Sequence, residues 1–415
     1  MIPLETRKTV ERFQGALVGI ALGDAVGSPF DGLPPGTIAQ MVGRVEGPDS
    51  RKEREFLLLR LKRGDRPKTV AKSAGMVHPP GLYYHCAQQA LIATECILAE
   101  GDVGGESFAR ACVRFLRPSD RGKFGLHRKP SPAFRAGINR IAAGEDWRTA
   151  GDEPAFGETA VRAIPAGLAF REDPDGAAAR AAELAVVTDR SGPGILAAAG
   201  AAFLAGELSR RAPPVPPLEV LDALVERLGK AERAVREALG GSLEDEAEGL
   251  DAPRRVLEVF LPWILPGAAE EGDAEALGAL VREARKIGFD GKEASAGFAP
   301  VLLAAAAYLC LTETRGPAGA VLRAVNLGRS SGTLGALTGG LAGALWGREA
   351  WPAEWLEILW NRQAILRMGE LLARPEERAQ WDGKLHGLEM DLNKRSKEER
   401  EAIRREILTW KGTHL

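Results

Sequence analysis

The stretch GALVGIALGDAVGSP, residues 15–29, is the most informative part of this chain about its fold. A glycine recurs at every fourth position, at Gly15, Gly19, Gly23 and Gly27. Residues four apart lie on one face of an α-helix, so these glycines form a stripe that carries no side chains. Because a neighbouring helix can approach such a stripe closely, the stretch predicts a buried helix packed directly against a second one.

The rest of the chain also has the composition of a helical protein. Alanine, leucine, arginine and glutamate dominate, and apolar residues recur at helical spacing, as in residues 218–228. Glycine or proline stands where these helical stretches end. We expect an all-α protein with a single large helical domain over residues 12–359 and a helical extension over residues 360–415.

Charge and cysteine content restrict the class of protein. The chain has 55 Lys and Arg against 57 Asp and Glu, and a net charge of −2 argues against nucleic-acid binding. Its 4 cysteines form no C-x-x-C pair, so neither a disulfide framework nor a structural zinc site is predicted. No signal peptide and no membrane-spanning run is recognisable. We expect a cytoplasmic protein that binds no nucleic acid and no membrane.

Two densely charged stretches stand apart from this pattern. Residues 50–72 are predicted to form a solvated helix and a loop. Residues 390–410 are predicted to form a charged helix, in which Glu401 precedes Arg405 by one turn and favours an ion pair. Its apolar face is expected to pack on the body of the protein or on a second subunit, and the second alternative would make a homodimer.

Three further segments follow the glycine stripe: YHCAQQAL at 84–91, FGETAVRAIPAGL at 156–168 and NLGRSSGT at 326–333. In combination and order, the four segments resemble the ADP-ribosylglycohydrolase family, helical enzymes that remove ADP-ribose from proteins with a pair of divalent cations. In that family the three later segments read T-D-D-T-Q, G-N-G-x-x-M-R-x-x-P-x-G-L and N-x-G-G-D-T-D-T. The resemblance implies the family's helical fold.

The same resemblance implies that the metal ligands of the family have been lost. His85 and Cys86 replace the two aspartates of T-D-D-T-Q, and Ser330 and Gly332 replace those of the last segment. Magnesium prefers oxygen ligands, carboxylates above all, whereas a zinc site needs about four ligands. We therefore expect no metal and no other cofactor. Cys86, Ser330 and Ser331 are candidates for substrate binding instead.

Charged residues stand at or beside the altered positions. Arg329 replaces a glycine and can bind a phosphate or carboxylate bidentately, with an exposed loop arginine as the alternative. Asp31 aligns with a glutamate that is a candidate acid or base in the family, Glu158 lies in the altered G-N-G turn, and Asp189 stands where the family usually has histidine. Metal-free glycosidases commonly use two carboxyl groups, and His85 can carry a proton near neutral pH. A surface or loop charge is the alternative for each.

Other side chains near these segments have structural alternatives. Asp24 is expected to bond to backbone near a helix end. Tyr84 and Phe156 are candidate walls that stack on a sugar or a base, with a place in the core as the alternative. Neighbouring residues on a helix point about 100° apart, so His85 and Cys86 are not expected to form a catalytic pair.

Three functions remain open at this level. The first is a metal-independent glycoside hydrolase that acts on a ribosyl or other glycosyl substrate through Asp31, Glu158, Asp189 and His85. The second is a catalytically inactive relative that binds ADP-ribose, a nucleotide or a partner protein. The third is a metal-dependent ADP-ribosyl hydrolase with ligands from elsewhere in the chain. The new carboxylates favour the first, with a small glycoside or a nucleotide-sugar as ligand.

Overall fold

The computed structural model describes residues 3–48, 60–63, 65, 78–116, 124–152, 155–239, 252–258, 273–286, 289–292 and 295–409. Within these ranges the chain is helical, and isolated bridges are its only β-type pairing. The all-α class and the single large helical domain are thereby confirmed. Of the helix and loop predicted over 50–72, most lies outside the described residues, although 60–62 are helical. None of the described helices is long and apolar enough to cross a membrane.

The described helices follow one another along the chain in a fixed order. They are α1 (Leu4–Gly27), α2 (Pro35–Val42), α3 (His85–Glu100), α4 (Gly105–Arg114), α5 (Pro132–Ala142), α6 (Glu158–Ala169), α7 (Pro174–Val186), α8 (Gly192–Leu208), α9 (Pro217–Leu239), α10 (Ala252–Glu258), α11 (Asp273–Arg285), α12 (Ala299–Leu311), α13 (Pro317–Val325), α14 (Ser331–Trp346), α15 (Ala353–Ile358), α16 (Arg362–Ala373) and α17 (Leu385–Thr409). Short 3₁₀ turns occupy Ser28–Phe30, Arg348–Ala350 and Pro375–Gln380.

Helices α1 and α14 form the centre of the core. The predicted close approach of α1 to a second helix is confirmed, because a Cβ atom built on Gly19 would lie 2.1 Å from the backbone oxygen of Gly339 in α14. The same holds in reverse, since a Cβ atom on Gly339 would lie 2.1 Å from the oxygen of Gly19. Each helix thus presents a glycine stripe to the other, and backbone packs on backbone. This pair brings the end of α1 beside the start of α14.

The C-terminal helix α17 packs on the body of its own chain near its start. Of the apolar face predicted to pack on the body or on a second subunit, Ile407 is buried and Leu408 is exposed, and the homodimer stays a prediction. Glu389 on α17 is fully buried and accepts hydrogen bonds from Tyr83 Oη at 2.5 Å and Gln88 Nε2 at 2.6 Å. Its Oε2 also pairs with Arg128 Nη1 at 2.5 Å. Arg128 is buried as well, and its Nε donates to the carbonyl of Tyr83 at 2.9 Å. A buried ion pair with further hydrogen bonds therefore fixes α17 to the segments on either side of α3.

Candidate functional site

A cavity of about 550 Å³ opens where the N-termini of α3, α6 and α14 meet. The first residues of α3 and α6, His85 and Glu158, line it, and so do Ser330 and Thr333 at the start of α14. A helix N-terminus carries unpaired N–H groups and a partial positive charge. Three such ends facing one space make the cavity suited to a ligand with negative or electron-rich groups. Further charged, polar or aromatic lining residues are Asp31, Ser131, Phe156, Asp290, Lys292 and Arg329.

Asp24 holds the start of α3 in place. It is buried near the end of α1, and its Oδ2 accepts hydrogen bonds from the backbone N–H of Tyr84 at 3.1 Å and of Ala87 at 2.8 Å. Its Oδ1 accepts from Ser28 Oγ. A carboxylate at a helix N-terminus satisfies N–H groups that the helix itself leaves free. The predicted backbone role of Asp24 is confirmed, and the helix end that it bonds is the start of α3.

His85 and Glu158 form a buried pair across the cavity wall. The distance from His85 Nε2 to Glu158 Oε2 is 3.0 Å, and 11% of the histidine side chain and 4% of the glutamate side chain are exposed. Ser131 Oγ donates to the other carboxylate oxygen of Glu158 at 2.7 Å. Burial opposes the charged form of Glu158, but His85, Arg162 and Ser131 together lower the pKa of its carboxyl group. Glu158 is therefore an anion with both oxygens engaged.

Only one nitrogen of the His85 imidazole, Nε2, has partners among the described residues. Burial opposes its charged form, but Cys86 and Glu158 raise the pKa of His85 well above its ordinary value. Since Cys86 stays protonated, Glu158 is the negative charge that matters near neutral pH. The Nδ1 atom of His85 is buried and has no hydrogen-bond partner among the described residues. A buried polar atom without a partner is costly. Nδ1 is thus an unsatisfied polar atom on a residue that lines the cavity.

Asp31 follows the 3₁₀ turn Ser28–Phe30 at another edge of the cavity. Its Oδ1 accepts a hydrogen bond from the backbone N–H of Gly332 at 2.7 Å, at the start of α14. Burial by the surrounding protein raises the pKa of Asp31 to about 6, and the bond from Gly332 and the charge of His85 oppose this effect. Asp31 is nevertheless an exposed residue by its surface area, and it lines the cavity. Asp31 is thus a carboxyl group that exchanges its proton close to neutral pH.

Asp189 lies outside the cavity, although the sequence made it a candidate catalytic residue. Its Oδ2 accepts from the backbone N–H of Phe156 at 2.9 Å. Its Oδ1 accepts from the N–H of Ser191 at 2.9 Å and from Ser191 Oγ at 2.7 Å. Asp189 is buried and does not line the cavity. Its two oxygens accept hydrogen bonds from the turn before α6 and from the residue before α8. Asp189 therefore positions Phe156 and does not face a substrate.

Three of the predicted substrate-binding residues lie behind the cavity wall. Tyr84 is buried, and its hydroxyl group contacts His78 Nδ1 and accepts a hydrogen bond from Arg400 at 2.8 Å. Ser331 is buried, and its Oγ donates to the carbonyl of Gly27 at 2.9 Å. The third, Cys86, is fully buried as well, and none of the three lines the cavity. Side chains next to a lining residue point into the core because successive helical positions face different directions.

Cys86 nevertheless contacts His85. Its Sγ lies 3.5 Å from His85 Nε2 and 3.4 Å from Thr333 Oγ1, so the expectation that the two neighbouring side chains diverge is wrong. Burial raises the pKa of the Cys86 thiol to about 11, however, and outweighs the effect of His85. The thiolate is the nucleophilic form of cysteine. A protonated Cys86 therefore does not make a catalytic pair with His85.

Phe156, Arg329 and Ser330 line the cavity, as the sequence predicted. Arg329 has a left-handed backbone with φ of 57°. Its N–H donates to the carbonyl of Leu33 at 2.7 Å, and its own carbonyl accepts from the N–H of Gly32 at 2.6 Å. Two backbone hydrogen bonds thus hold the loop before α14 in this uncommon conformation.

Ser131, Asp290 and Lys292 line the cavity too, and the sequence analysis missed them. Ser131 caps α5 by accepting from the N–H of Phe134 at 3.1 Å, and Ser-Pro is a recognisable start of a helix. That signal predicts the cap, but it does not predict the bond to Glu158. The segment that carries Asp290 and Lys292 has no motif that indicates a site.

The residues present do not fit a pair of divalent cations of the kind used by the family that the sequence resembles. Among the described residues, no group of three or more His, Cys, Asp or Glu side chains is placed to hold a metal ion. The oxygens of Asp24 are occupied by backbone N–H groups and Ser28. A Cβ atom on Gly332 would lie 2.8 Å from Asp31 Oδ2 and 2.7 Å from Ser28 Oγ, so the room for an aspartate there is filled.

Comparisons with known proteins agree with the fold and the motifs. The family model for ADP-ribosylglycohydrolase matches residues 5–381. A solved structure titled "ADP-ribosylglycohydrolase-related protein complex" is similar, with 26% sequence identity and a TM-score of 0.57, over 89% of this chain and 99% of that chain. The search of curated proteins finds no match. The family match ends before α17 begins, so this helix lies outside it.

Proposed function

The chain belongs to the ADP-ribosylglycohydrolase family, and from this premise we propose that it is a glycoside hydrolase which acts on a ribosyl or other glycosyl substrate without a metal ion. One observation supports the proposal: His85, paired with Glu158 through Nε2, has a second imidazole nitrogen without a partner among the described residues, and His85 lines the same cavity as Asp31. An acid and a base on the same cavity are what hydrolysis of a glycosidic bond requires.

His85 is the general acid in this proposal. Its Nδ1–H gives a proton to the leaving oxygen as the bond from that oxygen to the anomeric carbon breaks. Glu158 holds Nε2 and keeps the imidazole protonated and oriented, so it is a positioning residue. A neighbouring carboxylate that bonds to one imidazole nitrogen fixes the role of the other nitrogen.

Asp31 is the general base. Above pH about 6 its carboxylate is ionised. It takes a proton from the water molecule that adds to the anomeric carbon, and the products are the free sugar and the protonated leaving group. The bond from Gly332 N–H to Oδ1 orients the carboxylate and leaves Oδ2 for this proton.

The lining of the cavity supports a substrate that carries negative charge, such as a nucleotide-sugar. The starts of three helices line the cavity, and so do the cationic residues Arg329 and Lys292. Phe156 offers an aromatic surface to a sugar or a base.

The first test is hydrolysis of a panel of aryl ribosides and nucleotide glycosides in the presence of a chelator. We expect turnover by the wild type and a loss of about 10²–10⁴-fold in kcat for His85→Asn and for Asp31→Asn, since each removes a proton-transfer group. Asp391→Asn is the matched control, because Asp391 is exposed on α17, far outside the cavity lining. It should keep wild-type activity.

Two other outcomes would replace this proposal. If no glycoside is hydrolysed but ADP-ribose binds, and His85→Asn weakens that binding, the protein is a catalytically inactive relative that uses the same cavity. If magnesium is needed and ADP-ribose is released from a modified protein, the protein is a metal-dependent hydrolase of the usual kind.

The pH profile tests the positioning role of Glu158. We expect kcat/KM to rise as Asp31 ionises near pH 6 and to fall at higher pH as His85 loses its proton. In Glu158→Gln the neutral amide no longer stabilises the imidazolium, so the pKa of His85 drops and the alkaline limb moves to lower pH. The acidic limb should move little. An alkaline limb that stays in place would show that Glu158 does not tune His85.

A further inference from the structure

Two cationic side chains converge on Tyr84, behind the wall of the cavity. Lys129 Nζ lies 3.0 Å from His78 Nε2 and 5.0 Å from the centre of the Tyr84 ring. Arg400 reaches the same ring from α17, with its Cζ 5.9 Å from the ring centre and its Nη2 bonded to the Tyr84 hydroxyl at 2.8 Å. The two cations come from segments that are remote in sequence, so the fold alone brings them together.

Neutral groups hold both cations in place. An ammonium group only donates hydrogen bonds, so His78 Nε2 accepts from Lys129 and must be unprotonated. Burial lowers the pKa of His78 well below its ordinary value, and the charges of Lys129 and Arg400 add to this effect. Burial raises the pKa of Tyr84 to about 12, so the phenol stays neutral too. These partners fix the geometry but do not cancel the positive charge.

No carboxylate lies within ion-pair distance of Lys129 or Arg400 among the described residues. Arg400 Nε is buried and has no hydrogen-bond partner in that part of the chain. Lys129 is an exposed residue, but partial desolvation of its ammonium group and the charge of Arg400 lower its pKa, although Asp31 and Asp24 act against this. Two like charges held together in this way favour the binding of an anion.

We propose that Lys129 and Arg400 form a binding site for an oxyanion of the phosphate class beside Tyr84. Charge-assisted hydrogen bonds from a guanidinium and an ammonium group are the usual means of binding phosphate. Lys129 stands two positions before Ser131, which lines the cavity, and its ammonium interacts with Asp31. Arg400 lies beyond the family match, so the site is a feature of this chain.

The phosphate has two possible sources, a free ion or a phosphate group on the substrate. The second source rests on the proposed glycosidase function, whereas the first does not. Binding can be measured without turnover, so failure of the hydrolase and failure of the anion site are separate results.

The experiment titrates inorganic phosphate into the full chain by calorimetry, with chloride at matched ionic strength as the blank, because salt also screens charges. We expect saturable binding of phosphate by the wild type, and binding at least about tenfold weaker in Lys129→Gln and in Arg400→Gln. Lys397→Gln removes the same charge from an exposed position on α17 and should bind like the wild type. Arg400→Lys keeps a charge and should bind phosphate more tightly than Arg400→Gln.

Ribose 5-phosphate and ribose distinguish the sources. Tighter binding of ribose 5-phosphate than of phosphate, with the excess lost in Asp31→Asn, assigns the site to the substrate. Equal binding of the two assigns it to the free ion. The proposal is overturned if the wild type binds phosphate no better than chloride, or if Lys397→Gln weakens binding as much as Lys129→Gln does. Lys129 is exposed, so Lys129→Gln is expected to fold. Its phosphate affinity therefore tests the proposal even if Arg400→Gln is unstable.

Discussion

Gly19→Ala is expected to destabilise the protein by at least about 3 kcal/mol, the upper end of the usual cost of overpacking. The added methyl group would lie 2.1 Å from the backbone oxygen of Gly339 and 2.9 Å from the side chain of Trp351. A backbone oxygen cannot rotate out of the way as a side chain can. The whole of α14 would have to move away from α1, and packing along both helices would loosen.

Denaturant unfolding followed by far-UV circular dichroism checks this expectation. The matched control is Gly229→Ala in α9, where an added Cβ atom meets nothing within 4 Å. There alanine should be neutral or should stabilise by up to about 1 kcal/mol, since it favours the helix over glycine. Equal midpoints for Gly19→Ala and the wild type would contradict the backbone-to-backbone packing of α1 and α14.

Glu389→Ala is expected to cost about 3–5 kcal/mol of stability, because it leaves the charge of Arg128 buried without its partner. Tyr83 and Gln88 would lose their shared acceptor as well. The variant should unfold at a lower denaturant concentration in a single transition with the rest of the protein.

Glu398→Ala is the control on the same helix. Glu398 is exposed, so its removal should change the free energy of unfolding by no more than about 0.5 kcal/mol. If Glu389→Ala melts α17 alone and leaves the body at wild-type stability, the helix is a separate extension and not part of the folding unit.

Much of the cavity can be predicted from residues that stand in motifs. Asp31, His85, Phe156, Glu158, Arg329 and Ser330 were all predicted for the site, and all of them line the cavity. Motif positions are informative here because each falls in a turn or in the first turn of a helix whose N-terminus faces the cavity. Tyr84, Cys86 and Ser331 stand directly beside lining residues and yet point into the core, since a shift of one helical position changes the direction of the side chain.

The roles of the charged residues depend on partners that are remote in the sequence. Glu158 was predicted as a catalytic carboxylate, but its contacts with His85 and Ser131 make it the residue that orients His85. Asp189 was also predicted as a catalytic carboxylate, but its hydrogen bonds with Phe156 and Ser191 hold it outside the cavity. Spacing along the chain contains no information on such pairs.

The helical class and the close packing of α1 can be read from the sequence, because both follow from local periodicity and from the absence of side chains on one helical face. Which charges are paired depends instead on the three-dimensional fold. Glu389 lies in a helix whose charged composition is typical of a solvated surface, and it is nevertheless fully buried against Arg128. Burial of a charge is stable only where a partner is in place, and that partner comes from a distant segment that the fold brings to it.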